Sequence, residues 1–174
     1  ALSGIRVLDL TNVLAGPLCA YQIALLGAEV IKVEMPKDGD LARQLGADAR
    51  LNQGRMGTSF LAQNGGKKSV TVNLKTEAGK GVLRRLAATA DVLVENFRPG
   101  VMDRLQLGYG DLRAVNPALV YCAISRFGQD GPMKDAPAYD QIIQGLSGMM
   151  RVTGAECCAP LRAGYPVADS IGGI

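Results

Sequence analysis

The residues best suited to chemistry lie near the end of the sequence, in Gly164-Tyr165-Pro166-Val167-Ala168-Asp169-Ser170-Ile171-Gly172-Gly173. One carboxylate, Asp169, stands among small and apolar neighbours. Two uses fit it. Pro166 suits the start of a helix, because its missing N–H would have no partner there. An acidic residue in the first turn is then favoured by the positive end of the helix dipole. A carboxylate ringed by glycine and alanine is also open to close approach by a bulky substrate, and Asp serves as a covalent nucleophile when a substrate is held against it. These ten residues alone favour the first use; the remaining residues have to decide.

Several other chemistries drop out. The sequence has no histidine, which removes Ser-His-Asp and Cys-His nucleophiles and histidine–metal sites from within it. Cys19, Cys122, Cys157 and Cys158 form no CxxC pair, so neither a zinc site nor a thioredoxin-like motif is indicated. Their spacing is not that of a small disulfide scaffold, and a reducing, cytoplasmic compartment is the default expectation. A net charge of +3, 5% aromatic residues and no Trp argue against nucleic acid as a partner. No apolar run is long enough to span a membrane, and Ala1 to Leu10 lacks the basic region and long apolar run of a signal peptide.

The elements that must position Asp169 follow from periodicity. With 174 residues and 48% hydrophobic content, the sequence has the size of one ordinary domain with a substantial core. Residues 5–10 read as a buried strand broken by one charge, Asp9. Pro17 opens a helix with Leu18, Tyr21, Ala24 and Leu25 on one face, and Gly27 stops it. Residues 30–33 form a second strand, parallel to the first across a right-handed crossover. Residues 41–56 read as mostly loop with room for one helical turn, and 58–63 as a short helix. A third strand covers 70–74. Thr76 caps a helix running to Ala90, with Val82, Leu83, Leu86 and Ala87 as its buried stripe. A fourth strand over 91–94, short helices ending at Leu105 and Val115, and a fifth strand over 119–124 follow. A turn-rich loop then leads to a helix over 139–150. The alternation predicts an α/β fold: a doubly wound, Rossmann-like, mostly parallel sheet with helices on both faces.

Such sheets bind ligands beyond the carboxyl ends of their strands, which singles out the loops beginning at Thr11, Glu34, Glu95 and Ser125. The first lacks G-x-G-x-x-G and no Walker-type G-x-x-x-x-G-K occurs, against a nicotinamide dehydrogenase or a P-loop enzyme. Any phosphate falls to helix N-termini and to cations such as Lys67, Lys68, Lys75, Arg98 and Arg104. Each of these alone reads as a solvated surface charge.

Taken together the loops resemble the amino-terminal half of the class III CoA-transferases, the formyl-CoA and carnitine CoA-transferase family. The resemblance is carried by Gly4 to Leu10, Ala15-Gly16-Pro17, Leu26 to Glu34 with Pro36, and Asn64 to Ser69. It continues through Asp91 to Gly100, Phe127-Gly128-Gln129, Gly131-Pro132 and Tyr139-Asp140. It covers nearly the whole sequence in order. No single block is decisive; the ordered set is highly specific.

The resemblance implies a CoA thioester as substrate, no permanently bound cofactor, and a carboxylic acid as the other partner. It places the nucleophilic aspartate at Asp169. The family's CoA-contacting positions match Val13 and Ala15, with Leu14 between them, Val72 and Lys75, Asn96, Phe97 and the adjacent Arg98, Arg104 and Leu105, and Tyr139. Arg104 and Lys75 suit phosphates; the apolar residues suit adenine and the pantetheine arm. The implied chemistry is a double displacement through an aspartyl mixed anhydride and an aspartyl-CoA thioester. Departures from the formyl-CoA branch are Leu14 in place of a glutamine, Met35 in place of an arginine and Pro137 in place of a lysine. The first disfavours an oxalyl or formyl group. Arg126 stands where a glycine is common, and Cys157-Cys158 occupies a turn usually rich in Asp and Gly. The related acyl-CoA racemases use a histidine that would align with Tyr139, so transfer is preferred over racemisation. A non-catalytic CoA-binding or nucleotide-binding module is the other alternative. Family members run to more than twice this length, with a second small domain and an interlocked homodimer. Residues 1–174 are therefore expected to be the amino-terminal part of the large domain, inactive alone.

Overall fold

The computed structural model describes residues 1–174. Its elements are β1 (Arg6–Leu10), α1 (Ala15–Leu25), β2 (Glu29–Glu34), a 3₁₀ turn (Leu41–Gln44), α2 (Ala49–Gln53), α3 (Thr58–Asn64) and β3 (Lys68–Thr71). There follow α4 (Glu77–Ala87), β4 (Val92–Glu95), α5 (Val101–Arg104), α6 (Tyr109–Val115), β5 (Val120–Ala123), α7 (Asp140–Leu146), α8 (Met149–Val152) and α9 (Val167–Gly172). The strands form one sheet in the order β3-β2-β1-β4-β5, parallel throughout. The expected α/β class and the parallel sheet are both present.

Both faces of the sheet are covered, and in β1 the residues from Val7 to Leu10 are all buried. Its side chains alternate between faces. Leu8 and Leu10 join Leu83 and Ala87 of α4, Met102 of α5 and Leu112 of α6 in the larger core. Val7 joins Val30, Val94 and Ala20 of α1 on the other side. Asp9, two residues after Val7, shares the α1 face and is fully buried.

Local signals explain most boundaries. Thr76 accepts a hydrogen bond from the Gly79 N–H and caps α4, as its position predicted. Gly27 takes φ +102° just after α1, where no Cβ is tolerated cheaply. Three expectations need correction. Residues 41–56 hold two short helical segments, because Asp40 accepts the Ala42 N–H and Asp48 accepts those of Arg50 and Leu51. The third strand starts and ends earlier than expected, since β2 pairs with Lys68 to Thr71. The helix over 139–150 is two helices, broken where Gly148 adopts φ +81°.

Candidate active site

The loop after β1 is held by side chains. Thr11 donates its N–H to Asp9 Oδ1 at 2.9 Å, and its carbonyl accepts from Lys32 Nζ at 2.9 Å. Asn12 and Asn96 bond reciprocally: the Asn12 N–H donates to Asn96 Oδ1 and the Asn12 carbonyl accepts from Asn96 Nδ2, both at 2.8 Å. The Val13 N–H donates to Asp40 Oδ1 at 3.0 Å. A loop with no ladder partner must satisfy its polar groups somehow, and here residues from the ends of β1, β2 and β4 do so.

Beneath this loop lies a buried group of four charges. Lys32 Nζ is 2.9 Å from Asp40 Oδ2 and 3.7 Å from Asp9 Oδ2. Lys67 Nζ is 2.8 Å from Asp9 Oδ2 and also donates to the carbonyl of Pro17 and to Asn64 Oδ1. Burial pulls the Lys67 ammonium below its ordinary range, against the pull of Asp9. Lys67 is therefore a structural cation and not the free phosphate ligand that its sequence position allowed.

Asp169 lies in the first turn of α9. Both early readings meet there: the residue is at a helix N-terminus and also lines open space. Pro166 offers this helix no side-chain cap. Asp140 supplies one, its Oδ1 accepting the N–H groups of Ala168 and Asp169 at 2.8 and 3.2 Å. The fully buried Gln144 donates to Asp140 Oδ2 and accepts the Ala163 N–H. α9 also abuts the start of α1: a Cβ at Gly173 would run into the Ala15 carbonyl oxygen.

Two clefts meet at this point. One, of about 570 Å³, is walled by the loops after β1, β4 and β5 and by α7 to α9. It brings together the predicted Val13, Leu14, Ala15, Asn96, Phe97, Arg98, Tyr139 and Asp169. The other, of about 690 Å³, runs towards Leu45, Ser59 and Gln63 and shares Val13, Leu14, Tyr139 and Asp169 with the first. Four predicted positions lie outside both. Val72 is buried in the larger core and Leu105 packs against it. Lys75 and Arg104 are exposed, on segments that follow the carboxyl ends of β3 and β4. The loop beginning at Ser125, singled out from the sequence, does wall the first cleft; sequence reasoning missed Lys134 and Ile143 there, the whole 45–63 wall of the second, and the cap by Asp140. The Tyr139-Asp140 pair was the available signal for that cap.

The electrostatics favour a neutral carboxyl at low pH and a charged one above it. Burial raises the pKa of Asp169 and the Asp140 carboxylate raises it further, while Arg126 opposes both. The Arg126 guanidinium stands 5.5 Å from the centre of the Tyr139 ring and makes no ion pair within the structure. No group of three or more Cys, Asp or Glu side chains stands close enough to hold a metal ion. No helix is long and apolar enough to cross a membrane.

Residues 2–174 match the family model described as CoA-transferase family III. The chain belongs to CoA-transferase family III. Among curated family III relatives, the succinate–glutarate CoA-transferase of Agrobacterium fabrum is 44% identical over 176 residues, covering 99% of this chain and 44% of that protein. The formyl-CoA:oxalate CoA-transferase of Streptomyces avermitilis is 42% identical over 174 residues, covering 100% of this chain and 41% of that protein. The crystal structure of a CaiB/BaiF family protein from Brucella suis superposes with a TM-score of 0.90 at 40% identity, covering 98% of this chain and 45% of that one. The family III chain described here thus spans less than half the length of the relatives it matches.

Proposed function

We propose that this chain carries the nucleophile and much of the CoA-binding surface of an enzyme that moves CoA from an acyl-CoA thioester to a carboxylic acid. The observation that carries the proposal is the place of Asp169. It is half-buried where two clefts meet, and one of those clefts is walled by residues at the family's CoA-contacting positions. The relatives' names support the reaction class.

The ionised Asp169 attacks the thioester carbonyl carbon. The C–S bond breaks, the CoA thiolate leaves, and an aspartyl–acyl anhydride remains. The thiolate attacks the aspartyl carbonyl carbon and breaks its bond to the acyl carboxylate, which departs as the first acid and leaves aspartyl-CoA. The acceptor carboxylate attacks the aspartyl thioester, releasing the thiolate again. That thiolate takes the acceptor's acyl carbon from the new anhydride and returns Asp169 as a free carboxylate. Two clefts joined at one carboxylate suit this sequence, because CoA stays in place while one acid is exchanged for another. Each tetrahedral species carries an oxyanion that needs N–H donors. The N–H groups of Ala168 and Asp169 are already engaged by Asp140, so those donors come from elsewhere. We assign residues 1–174 to the amino-terminal part of a larger domain, with a small domain and a homodimer in the family-length, cytoplasmic protein.

The test is mass spectrometry of the family-length protein mixed with candidate acyl-CoAs and quenched in hydroxylamine or borohydride. A modification on the peptide containing Asp169, and its loss in Asp169→Asn, is the expected result. Near-normal transfer by Asp169→Asn would return Asp169 to a purely structural part in α9.

A further inference from the structure

Val13 is held in a conformation that its own side chain disfavours. Its φ of +72° lies in the left-handed region, where a β-branched residue is a genuine outlier. Such strain persists only where the surroundings over-determine it. The Val13 side chain does not anchor it, being 39% exposed. The backbone does, through the Val13 N–H on Asp40 Oδ1.

Asp40 is in turn fixed more firmly than a surface cap would be. It is 1% exposed, as is Lys32, which sits 2.9 Å from its other oxygen. Lys32 also holds the Thr11 carbonyl. Lys67 approaches the same Asp9 oxygen, Oδ2, that faces Lys32, so that two ammonium groups balance two carboxylates. A buried charge cluster of this kind is a poor device for stability, since well-packed apolar residues often do as well. It is a good device for fixing one geometry. The geometry it fixes is that of Val13 and Leu14, which line both clefts, and of Ala15, which lines the first.

We propose that Asp40 is a positioning residue: backed by the buried Lys32, it clamps Val13 in the left-handed conformation, so that residues 13–15 stand at the junction of the clefts before any substrate arrives. Binding then does not bear the cost of ordering this loop. The clamp rests on the proposed function only for its kinetic readout.

The test uses the family-length protein. Asp40→Ala removes both the acceptor for the Val13 N–H and the charge that Lys32 holds; Asp40→Asn keeps an oxygen for the N–H but loses the charge. Amide hydrogens over residues 11–16 should exchange at least tenfold faster in Asp40→Ala than in wild type, with Asp40→Asn between them, and KM for acyl-CoA should be at least tenfold higher in Asp40→Ala with kcat within threefold. Exchange at the wild-type rate in Asp40→Ala would overturn the clamp. If the Asp40 variants do not fold, Val13→Gly and Val13→Ala decide: both keep the N–H for Asp40, but only glycine takes the left-handed conformation without strain, so the glycine variant should melt higher, and equal or lower melting would overturn the clamp. If wild type neither binds CoA nor transfers acyl groups, the proposed function falls, and exchange alone judges the clamp: faster exchange in Asp40→Ala supports it and wild-type exchange overturns it.

Discussion

Asp140 holds Asp169 by its backbone: the Asp140 Oδ1 accepts the Asp169 N–H at 3.2 Å, beside that of Ala168 at 2.8 Å. A carboxylate at the start of one helix thereby caps another helix 29 residues later. The arrangement ties the orientation of α9, and with it the Asp169 side chain, to the α7 residue next to Tyr139.

Removing that tie should separate stability from chemistry. Asp140→Ala loses a cap and leaves buried N–H groups unpaired, at a cost of about 1–3 kcal/mol. A shift of α9 by about an ångström would lower kcat by roughly a hundredfold. Asp140→Asn, which keeps an acceptor oxygen, should be milder on both counts. Thermal melts and initial rates at saturating acyl-CoA measure the two effects. An alanine variant with unchanged kcat would show that the cap does not position the Asp169 carboxylate for transfer.

The pH dependence of transfer should report Asp169 directly. Its pKa is raised by burial and then by Asp140, and lowered by Arg126, and only the ionised form is nucleophilic. Activity should therefore fall on acidification at a pH above the ordinary aspartate range. Arg126→Gln should move that acid limb upward and Asp140→Asn should move it downward. The same shift has a stability sign. A carboxyl whose pKa is raised by folding contributes stability that is complete below its unfolded pKa and lost as pH rises through the folded one. Asp169→Asn should then melt higher than wild type at neutral pH while being inactive. Profiles that coincide in all three proteins would remove Asp169 from the rate-determining ionisation.

Much of this architecture was legible in the residues. Strands such as 6–10, apolar on both faces, announce a parallel sheet, and Thr76 and Gly27 mark helix ends by chemistry that acts within a few residues. Asp169 was visible as a choice between cap and nucleophile, and the resemblance weighted it. The 41–56 segment was less legible because its short helices are set by isolated Asp caps with no apolar stripe to signal them. The clasp of Asn12 by Asn96 and the burial of Lys32 were not legible at all. Both depend on segments that meet only through the sheet order, and no local pattern distinguishes a buried lysine from a solvated one.

Glu34 gives a prediction about acid stability. Burial works to raise its pKa, but Arg43, Ser69 and the Asp40 N–H outweigh burial and hold it at about 2. Arg43 bonds both carboxylate oxygens, at 2.8 and 2.7 Å, and lies 3.8 Å from the centre of the Phe60 ring. A carboxyl depressed by folding stabilises the protein above its unfolded pKa, and that stability is lost as pH falls through the folded value. The loss should amount to about 3 kcal/mol as the pH falls towards about 2. Arg43→Met should flatten the dependence of the melting temperature on pH over this window. An unchanged slope would mean that another carboxylate dominates acid unfolding.

Arg104 tests the reach of the nucleotide. It is exposed on α5, outside both clefts. If its guanidinium meets the 3′-phosphate, Arg104→Ala should weaken CoA by about 1.5–3 kcal/mol, the range for a charged hydrogen bond, and leave dephospho-CoA unaffected. Titration calorimetry with the two ligands compares them. Equal weakening would place Arg104 against another part of CoA, and no weakening would remove it from the site.

The central place of β1 has a consequence for how the protein is made. β1 leaves the ribosome well before β4, yet β4 is one of its two neighbours in the sheet. The Asn12–Asn96 clasp spans 84 residues, which at a synthesis rate of about 5–20 residues per second is a delay of roughly 4–17 s. During that interval one edge of β1 has no partner and the loop after it lacks the clasp that Asn96 provides. The nascent chain thus passes through a window in which a chaperone or a neighbouring polysome product competes for the edge that β4 will later occupy.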